Sequence, residues 1–342
     1  MKTYTRIISS LLIVLTIVIT MLSIYIKDYA NKPLSQNQEE VQFVVESGMH
    51  FQQITQKLVD HNLVKEVLPW KVFGRLSGAG NSIKAGEYTL KTNLSPVQLL
   101  NKLIKGQTVQ FSLTVIEGWT FQQMWEHVLK HEKIKQTANS QEELLEMLAI
   151  ESHPEGRFYP DTYNFPSGTS NVDFFQRAFN YMDEVLEEEW SSRPEETPLQ
   201  TPEEVLTLAS IIEKETSVDS ERELVAAVFI TRLRKGMKLQ TDPTVIYGMG
   251  DSYDGNIRRK DLKTDTPYNT YVHKGLPPTP IALPSRASIA AALHPADSEV
   301  LFFVSKGDGT HHFSKTYKEH REAVIKYQLG GNSSKYQADH KS

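Results

Sequence analysis

The chain has 342 residues, with 37 basic and 42 acidic side chains, a net charge of −5 and no cysteine. The mild negative charge argues against a protein that holds nucleic acid on a basic surface, so no nucleic-acid partner is expected. Without cysteine there can be no disulfide bond and no thiol chemistry, so the fold must be stabilised by burial of apolar surface. The length is sufficient for two or three domains with cores of their own.

The chain opens with a predicted transmembrane helix at residues 7–26. This segment is uncharged and almost wholly apolar, and as a helix it would be about 30 Å long, enough to cross the hydrocarbon core. Lys2 and Arg6 precede it, so the positive-inside rule places residues 1–6 in the cytoplasm. The apolar run is longer than that of a signal peptide, and no small-residue cleavage site follows. We therefore expect an uncleaved single-pass anchor in a bacterial cytoplasmic membrane, with the remaining residues on its outer side.

A small αβ module is expected at residues 41–108, after a polar linker at residues 27–40. Strand patterns at 41–46 and 87–90 alternate with helix patterns at 51–59, 68–76 and 95–104. This order of strands and helices looks like that of a LysM-type module, which binds glycan in other cell-wall proteins. The alternative is a purely structural stalk.

The helix at residues 201–216 is the element around which the remaining chain is predicted to be organised. Thr201 is a suitable N-cap, Pro202 fits the first turn, and Glu204 would complete a capping box. Apolar side chains then recur at helical spacing along one face, which indicates an amphipathic helix. They are Val205, Leu206, Leu208, Ala209, Ile211 and Ile212.

Two glutamates, Glu213 and Glu215, end this helix where its apolar face meets water. Partial burial could keep either of them protonated near neutral pH, as a general acid requires. The spacing alone does not choose between them, and two solvated glutamates at the end of an ordinary amphipathic helix would give the same pattern.

Two longer motifs follow one another in this part of the chain. Residues 209–216 read Ala-Ser-Ile-Ile-Glu-Lys-Glu-Thr, and residues 239–248 read Leu-Gln-Thr-Asp-Pro-Thr-Val-Ile-Tyr-Gly. Together with residues 155–163, 268–271 and 275–281, they resemble the endolytic murein (peptidoglycan) transglycosylases of the MltG or YceG-like family. The resemblance extends over essentially the whole chain, including the membrane segment.

The resemblance implies an α+β protein with one transmembrane helix, the LysM-like module and a larger catalytic domain at residues 109–329. Within that domain we expect helices at 172–189, 225–233 and 317–327 and a buried strand at 300–304. Residues 330–342 are polar and are predicted to be a disordered tail. The implied activity is cleavage of the MurNAc–GlcNAc bond of nascent glycan strands with formation of a 1,6-anhydro-MurNAc end. Such an enzyme would terminate glycan polymerisation alongside peptidoglycan synthases and would need no cofactor.

The resemblance also implies a site. Glu213 matches the family's catalytic glutamate, and it would protonate the glycosidic oxygen and then deprotonate the C6 hydroxyl of the muramic acid. The loop at 240–244 is expected to present its polar side chains outside a helix, because the residue before a proline disfavours helical geometry. The expected glycan-binding residues are Phe158, Asp161, Tyr163, Gln240, Thr241, Asp242, Tyr247, Asn269 and Tyr271.

The histidines do not predict a metal site. His127 and His131 are four residues apart but lack the glutamate of a zinc-protease motif. His311, His312 and His320 form a local cluster without recognisable ligand spacing.

Two other functions fit the same residues. One is a non-catalytic, membrane-tethered scaffold that binds peptidoglycan and whose glutamates are structural. The other is a hydrolytic muramidase in which Glu213 acts with Asp242 or Glu155 as the base, and it would leave reducing ends instead of anhydro ends.

Overall fold

The computed structural model describes residues 2–333 and residue 336, and within them it has twelve α-helices and four two-stranded sheets. The expected α+β class is therefore confirmed. The chain folds into two compact units. The first runs to Ser112 and includes the short segments Lys133–Lys135 and Asn164–Thr169, and the rest of the described chain forms the second. The predicted boundary between residues 108 and 109 lies close to Ser112.

The first unit contains most of the early elements of the chain. Its strands β1 (Glu40–Val45) and β2 (Gly86–Lys91) pair antiparallel with Phe43 opposite Tyr88, and both of these side chains are fully buried beside Trp70. Each strand and helix predicted between residues 41 and 108 is present within one residue of its expected bounds. In chain order the elements are α1 (Lys2–Asn31), β1 (Glu40–Val45), α2 (Phe51–Asp60), α3 (Val67–Leu76), β2 (Gly86–Lys91) and α4 (Pro96–Lys105).

Helix α1 carries the apolar run, and it extends beyond the predicted anchor. Between Arg6 and Asn31 it is the one helix in the described residues that is long and apolar enough to cross a membrane. Ile26, Tyr29 and Ala30 are buried in the core of the first unit, where the helix contacts α3 and α4. Part of the segment predicted as a linker is therefore helical, because these apolar side chains pack instead of facing water.

The remaining elements follow residue 109, and most of them belong to the second unit. The short pairs are β3 with β5 and β4 with β6, and β7 and β8 form an antiparallel hairpin. In chain order they are β3 (Gln110–Thr114), α5 (Phe121–Leu129), β4 (Ile134–Lys135), α6 (Gln141–Met147), β5 (Thr162–Pro166), β6 (Thr169–Ser170), α7 (Asn171–Ser191), α8 (Pro202–Glu215), α9 (Asp219–Arg234), α10 (Asp242–Met249), α11 (Arg286–Leu293), β7 (Phe302–Ser305), β8 (His311–Ser314) and α12 (Tyr317–Tyr327).

Helix α8 is buried on all sides from Val205 to Ile212, and not only along the predicted apolar face. Helices α7, α9, α10 and α11 all contact it, so its polar side chains need partners inside the core. Ser210 donates its hydroxyl to the Thr207 carbonyl oxygen at 2.7 Å and accepts the Ile281 N–H at 2.9 Å. The amphipathic interpretation of this helix was therefore too narrow.

The start of α8 is close to the prediction. The Thr201 hydroxyl accepts the Glu204 N–H at 3.2 Å, which confirms the N-cap. The Glu204 carboxylate, however, accepts the N–H of Gln200 and not that of Thr201, so the reciprocal half of the capping box is not formed.

The loop predicted around Asp242 is wrong, because Asp242 is the first residue of helix α10. Proline is tolerated in the first helical turn, where the missing N–H would be unpaired in any case. The extended residue is Thr241, the N-cap, and Gln240 before it has a φ of +51°.

The end of the described chain follows the sequence closely. Helix α12 has the predicted bounds, and β7 begins two residues after the predicted strand start, with Val304 opposite His312 in the hairpin. Most of the predicted disordered tail lies outside the described residues.

Gly156, beside the buried Glu155, has no room for a side chain. Its φ is +78°, and a Cβ there would lie 2.6 Å from Cβ of Pro280. Gly156→Ala should therefore lower the free energy of unfolding by about 1–3 kcal/mol more than backbone strain alone. Gly275→Ala is the control, because Gly275 also has a positive φ (+85°) but nothing within 4 Å. Thermal unfolding of the full-length proteins in detergent compares them, and equal Tm values would contradict the clash.

Candidate active site

A cleft of about 550 Å³ lies in the second unit at the C-terminal end of α8. One side of its lining comes from the end of α8, the end of α9 and the segments that follow α9. The other side comes from the β7–β8 hairpin and α12. The first set is Glu215, Arg232, Leu239, Gln240, Asp242 and Tyr271, and the second is Phe302, Phe303, Val304, Ser305, His311, Tyr317, His320, Val324 and Gln328.

Glu215 is the last residue of α8, and its carboxyl group reaches this cleft. Burial raises its pKa to about 7, and the nearby charge of Asp242 acts in the same direction. The hydroxyl of Thr241 donates a hydrogen bond to Oε1 and partly offsets this rise. A carboxyl group with a pKa near 7 holds its proton often enough at neutral pH to act as a general acid.

Three of the residues predicted to bind glycan line the same cleft as Glu215. They are Gln240, Asp242 and Tyr271, and the Tyr271 hydroxyl donates to Oδ1 of Asp242 at 2.7 Å. Thr241 is buried behind them, where its N–H donates to Oγ1 of Thr270 at 3.1 Å. Hydroxyl, amide and carboxylate groups side by side are suited to hydrogen bonding with the hydroxyl and acetamido groups of a sugar.

Glu213 faces a different part of the second unit. Its Oε2 accepts hydrogen bonds from the Ser285 N–H at 3.0 Å, from the Ser285 hydroxyl and from the Ser288 hydroxyl at 2.7 Å. These donors belong to the N-terminus of α11, which attracts negative charge. Burial and the charge of Glu213 together raise the pKa of nearby Glu117. Glu213 therefore joins α8 to α11, and it is not among the residues that line the cleft.

The aromatic residues of the loop at 155–163 belong to the core. Phe158 is fully buried, and its ring stacks on Phe121 at 5.1 Å. Tyr163 is 5% exposed, and its hydroxyl donates to the Tyr159 carbonyl oxygen at 2.6 Å. A ring without exposed surface cannot stack on a sugar, so the role predicted for Phe158 is not available in this structure. Asp161 is exposed, but it does not line the cleft.

Tyr247 and Asn269 do not line the cleft. The Tyr247 hydroxyl donates to Oε2 of Glu155 at 3.1 Å, and burial raises the pKa of this glutamate to about 7. Asn269 is 1% exposed, and its Oδ1 accepts the N–H of Tyr271 at 2.9 Å. Asn269 thus fixes the backbone that presents Tyr271, which is an indirect role.

Sequence reasoning missed the wall formed by the C-terminal hairpin and α12. Its most polar members, His311 and His320, belong to the histidine cluster that was set aside for lack of metal-ligand spacing. The available signal was the position of this cluster, after the Gly307–Gly309 turn and at the start of a strand. Among the described residues, no group of three His, Asp or Glu side chains is arranged to hold a metal ion.

Similarity to known proteins indicates the family of this chain. The profile of the YceG-like family matches residues 43–326. The chain belongs to the YceG-like family. This YceG-like chain is 32% identical over 303 residues to a Bacillus subtilis protein named endolytic murein transglycosylase, and the match covers 83% of each chain.

Two further similarities agree with this assignment. A Streptococcus pneumoniae protein named endolytic murein transglycosylase is 27% identical, over 83% of the YceG-like chain and 57% of its own length. The crystal structure of a YceG-like protein from Listeria monocytogenes superposes with a TM-score of 0.52 at 28% identity, over 84% of this chain and all of the other.

The different surroundings of Glu213 and Glu215 predict opposite effects on stability. Glu213→Gln should lower the free energy of unfolding by about 1.5–3 kcal/mol, because a neutral amide replaces the anion that three donors surround. Glu215→Gln is the matched control, and it should leave stability at pH 7 unchanged or higher, since burial disfavours the charged form of Glu215. Thermal unfolding of both full-length variants measures this, and a greater loss for Glu215→Gln would contradict it.

Proposed function

We propose that this protein is a membrane-anchored lytic transglycosylase that cuts peptidoglycan between N-acetylmuramic acid and N-acetylglucosamine. The observation that carries the proposal is Glu215, an acid with a pKa near 7 in a cleft beside Asp242 and Tyr271. The curated relatives named endolytic murein transglycosylase support the same substrate and reaction.

Glu215 would act as the general acid. It would give its proton to the oxygen that joins the two sugars, so that the bond from this oxygen to C1 of the muramic acid breaks. The C6 hydroxyl of the same muramic acid would then bond to C1, and the product would carry a 1,6-anhydro end without any addition of water. The proton of this hydroxyl needs an acceptor, and the Glu215 carboxylate is one candidate.

Asp242, Tyr271 and Gln240 would hold the glycan next to Glu215. Asp242 can accept a hydrogen bond from a sugar hydroxyl, and the Tyr271 hydroxyl already fixes the direction of its carboxylate. The first turn of α10 places Asp242 on a rigid element, which suits a residue that must orient a substrate.

Glu213 remains the alternative acid, as the family resemblance implies. Three hydrogen-bond donors of α11 occupy its Oε2, and Glu213 is not among the residues that line the cleft. We therefore assign the acid to Glu215.

The location that we propose is the outer side of the cytoplasmic membrane, with α1 as a single-pass anchor. The apolar side chains of α1 from Ile7 to Ile24 are exposed, as expected for contact with lipid. Because the burial of Tyr29 and Ala30 ties α1 directly to the first unit, that unit would stay close to the bilayer. An enzyme in this position would meet nascent strands, and it would act as a terminase beside peptidoglycan synthases.

The acid can be identified by comparing Glu215→Gln, Glu213→Gln and wild type as full-length proteins in detergent with intact sacculi. Mass spectrometry of the released muropeptides shows whether their muramic ends are anhydro or reducing. We expect wild type to produce anhydro-muramic ends. The rate of their formation should fall at least 100-fold in Glu215→Gln, because general acids contribute about 10²–10⁴-fold. Folded Glu213→Gln should keep substantial activity.

Other outcomes would select other functions. Reducing ends from wild type would indicate a muramidase that uses water. An absence of products from wild type, together with retained binding to sacculi, would indicate a scaffold. Loss of activity in Glu213→Gln alone would return the acid to Glu213.

We further propose that the first unit is LysM-like and binds glycan. Its strand–helix–helix–strand order, with β1 and β2 antiparallel, supports the likeness. A groove of about 480 Å³ lies between the start of α2 and the end of α3, where glycines allow close approach to the backbone. Its lining is Phe51, Gln52, Lys71, Gly74, Arg75, Gly78 and Gly80.

Glycan binding by this groove can be measured as retention on sacculi in the Glu215→Gln background, in which little cutting is expected. Adding Gln52→Ala and Arg75→Ala should weaken retention several-fold, because both side chains line the groove. Adding Gln56→Ala and Lys65→Ala is the control, since both side chains are exposed in the same unit but outside the groove. Equal retention by the two sets would assign a stalk function to the first unit.

A further inference from the structure

A buried carboxylate holds one histidine of the cleft by two different groups. Glu221, near the start of α9, accepts the backbone N–H of His311 at 2.9 Å and its Nδ1 at 2.8 Å. The side chains of His311 and Glu221 are only 14% and 11% exposed, so water competes little for this contact. One carboxylate thus fixes both the position of the residue and the orientation of its ring.

The contact also determines which ring nitrogen is available. With Nδ1–H donated to Glu221, the neutral imidazole carries its lone pair on Nε2. Nε2 makes no hydrogen bond with any residue that the structure describes, and it is not among the buried unpaired atoms. Because His311 lines the cleft together with Glu215, a hydrogen-bond acceptor is available in the same cleft as the acid.

We propose that His311, oriented by Glu221, is the general base that takes the proton from the C6 hydroxyl of the muramic acid. This proposal rests on the proposed function and assigns the second proton transfer of that reaction. An imidazole whose other nitrogen donates to a carboxylate is held in one tautomer, and the imidazolium that it forms is stabilised. The Glu215 carboxylate is then not required to serve both as acid and as base.

The two proton transfers balance as follows. In the first stage Glu215 gives its proton to the bridging oxygen, and the bond between this oxygen and C1 breaks with both electrons on the oxygen. In the second stage the C6 oxygen forms a bond to C1, and its proton passes to Nε2 of His311. The enzyme is left with a carboxylate at Glu215 and an imidazolium at His311. Transfer of the proton from the imidazolium to the carboxylate restores both groups, with no oxidation or reduction.

Several other charged or titratable groups lie near His311. Arg232, His320, Glu215 and Asp242 line the same cleft, and Glu221 holds the ring. The phenols of Tyr271 and Tyr317 also line the cleft. Arg232 donates to the carbonyl oxygens of Leu239 and Leu301, and the pKa of His320 is lowered, mainly by burial. Neither of these groups is placed to replace His311 as a base held by a carboxylate.

The first test is the rate of anhydro-end formation by full-length His311→Asn. Asparagine can keep an N–H for Glu221, but it has nothing in place of Nε2, so we expect the rate to fall by about 10²–10⁴-fold with little change in Tm. His312→Asn is the control, because His312 packs on Tyr327 at 5.6 Å and does not line the cleft. A rate for His311→Asn within threefold of wild type would overturn the proposal.

The pH profile gives a result that a merely structural role would not produce. Wild type should lose activity above pH 7, as Glu215 gives up its proton, and a rate that depends on an unprotonated base should also fall in acid. The activity of His311→Asn should still fall above pH 7, but it should no longer fall in acid. If both falls persist unchanged in the variant, the base is another group.

Chemical rescue covers the case in which substitution disturbs folding. Added imidazole should raise the rate of His311→Ala at least tenfold, and it should not change the rate of Glu215→Gln. Failure of rescue in a folded His311→Ala would overturn the assignment. These outcomes differ from failure of the proposed function, in which wild type itself would give no anhydro ends.

Discussion

The complete burial of α8 is the constraint on which the site depends. From Val205 to Ile212 every side chain of this helix is enclosed, so the helix can neither rotate nor slide without opening the core. Its last turn is therefore held in one orientation. Because residues two apart on a helix differ by about 200°, Glu213 and Glu215 must face different neighbours. One meets the N-terminus of α11 and the other meets the cleft.

The two glutamates at the end of this helix thus have different surroundings. Around Glu213, three hydrogen-bond donors converge on one oxygen. Around Glu215, burial and the charge of Asp242 favour the protonated form, and the Thr241 hydroxyl opposes them only in part. This separation resembles the general arrangement in glycosidases, where two carboxyl groups receive different tasks from their surroundings. Of the two, only Glu215 lines the cleft.

Local patterns predicted the elements of this protein well, and contacts between distant elements limited the prediction of its site. Alternation and helical spacing located β1, β2 and α12 within one residue, and the N-cap at Thr201 followed from residue type. Periodicity could not choose between Glu213 and Glu215, because the choice depends on Ser285, Ser288 and Thr241, which are distant in sequence. For the same reason, the aromatic residues at 155–163 suggested a sugar platform although Phe158 packs inside the core. The rule about residues before proline failed at Asp242, because it applies less strictly at a helix start.

Helix α9 connects the two walls of the cleft. Its Arg232 donates to the carbonyl oxygen of Leu239, just before Gln240, and at 2.8 Å to that of Leu301, next to β7. At the other end of α9, Glu221 holds His311 at the start of β8. Burying a carboxylate and a guanidinium is unfavourable unless each has strong partners, and both find theirs in the backbone of the walls. Because both contacts originate on one helix that packs against α8, the distance between the acid and the opposite wall is set by the core and not by loop geometry.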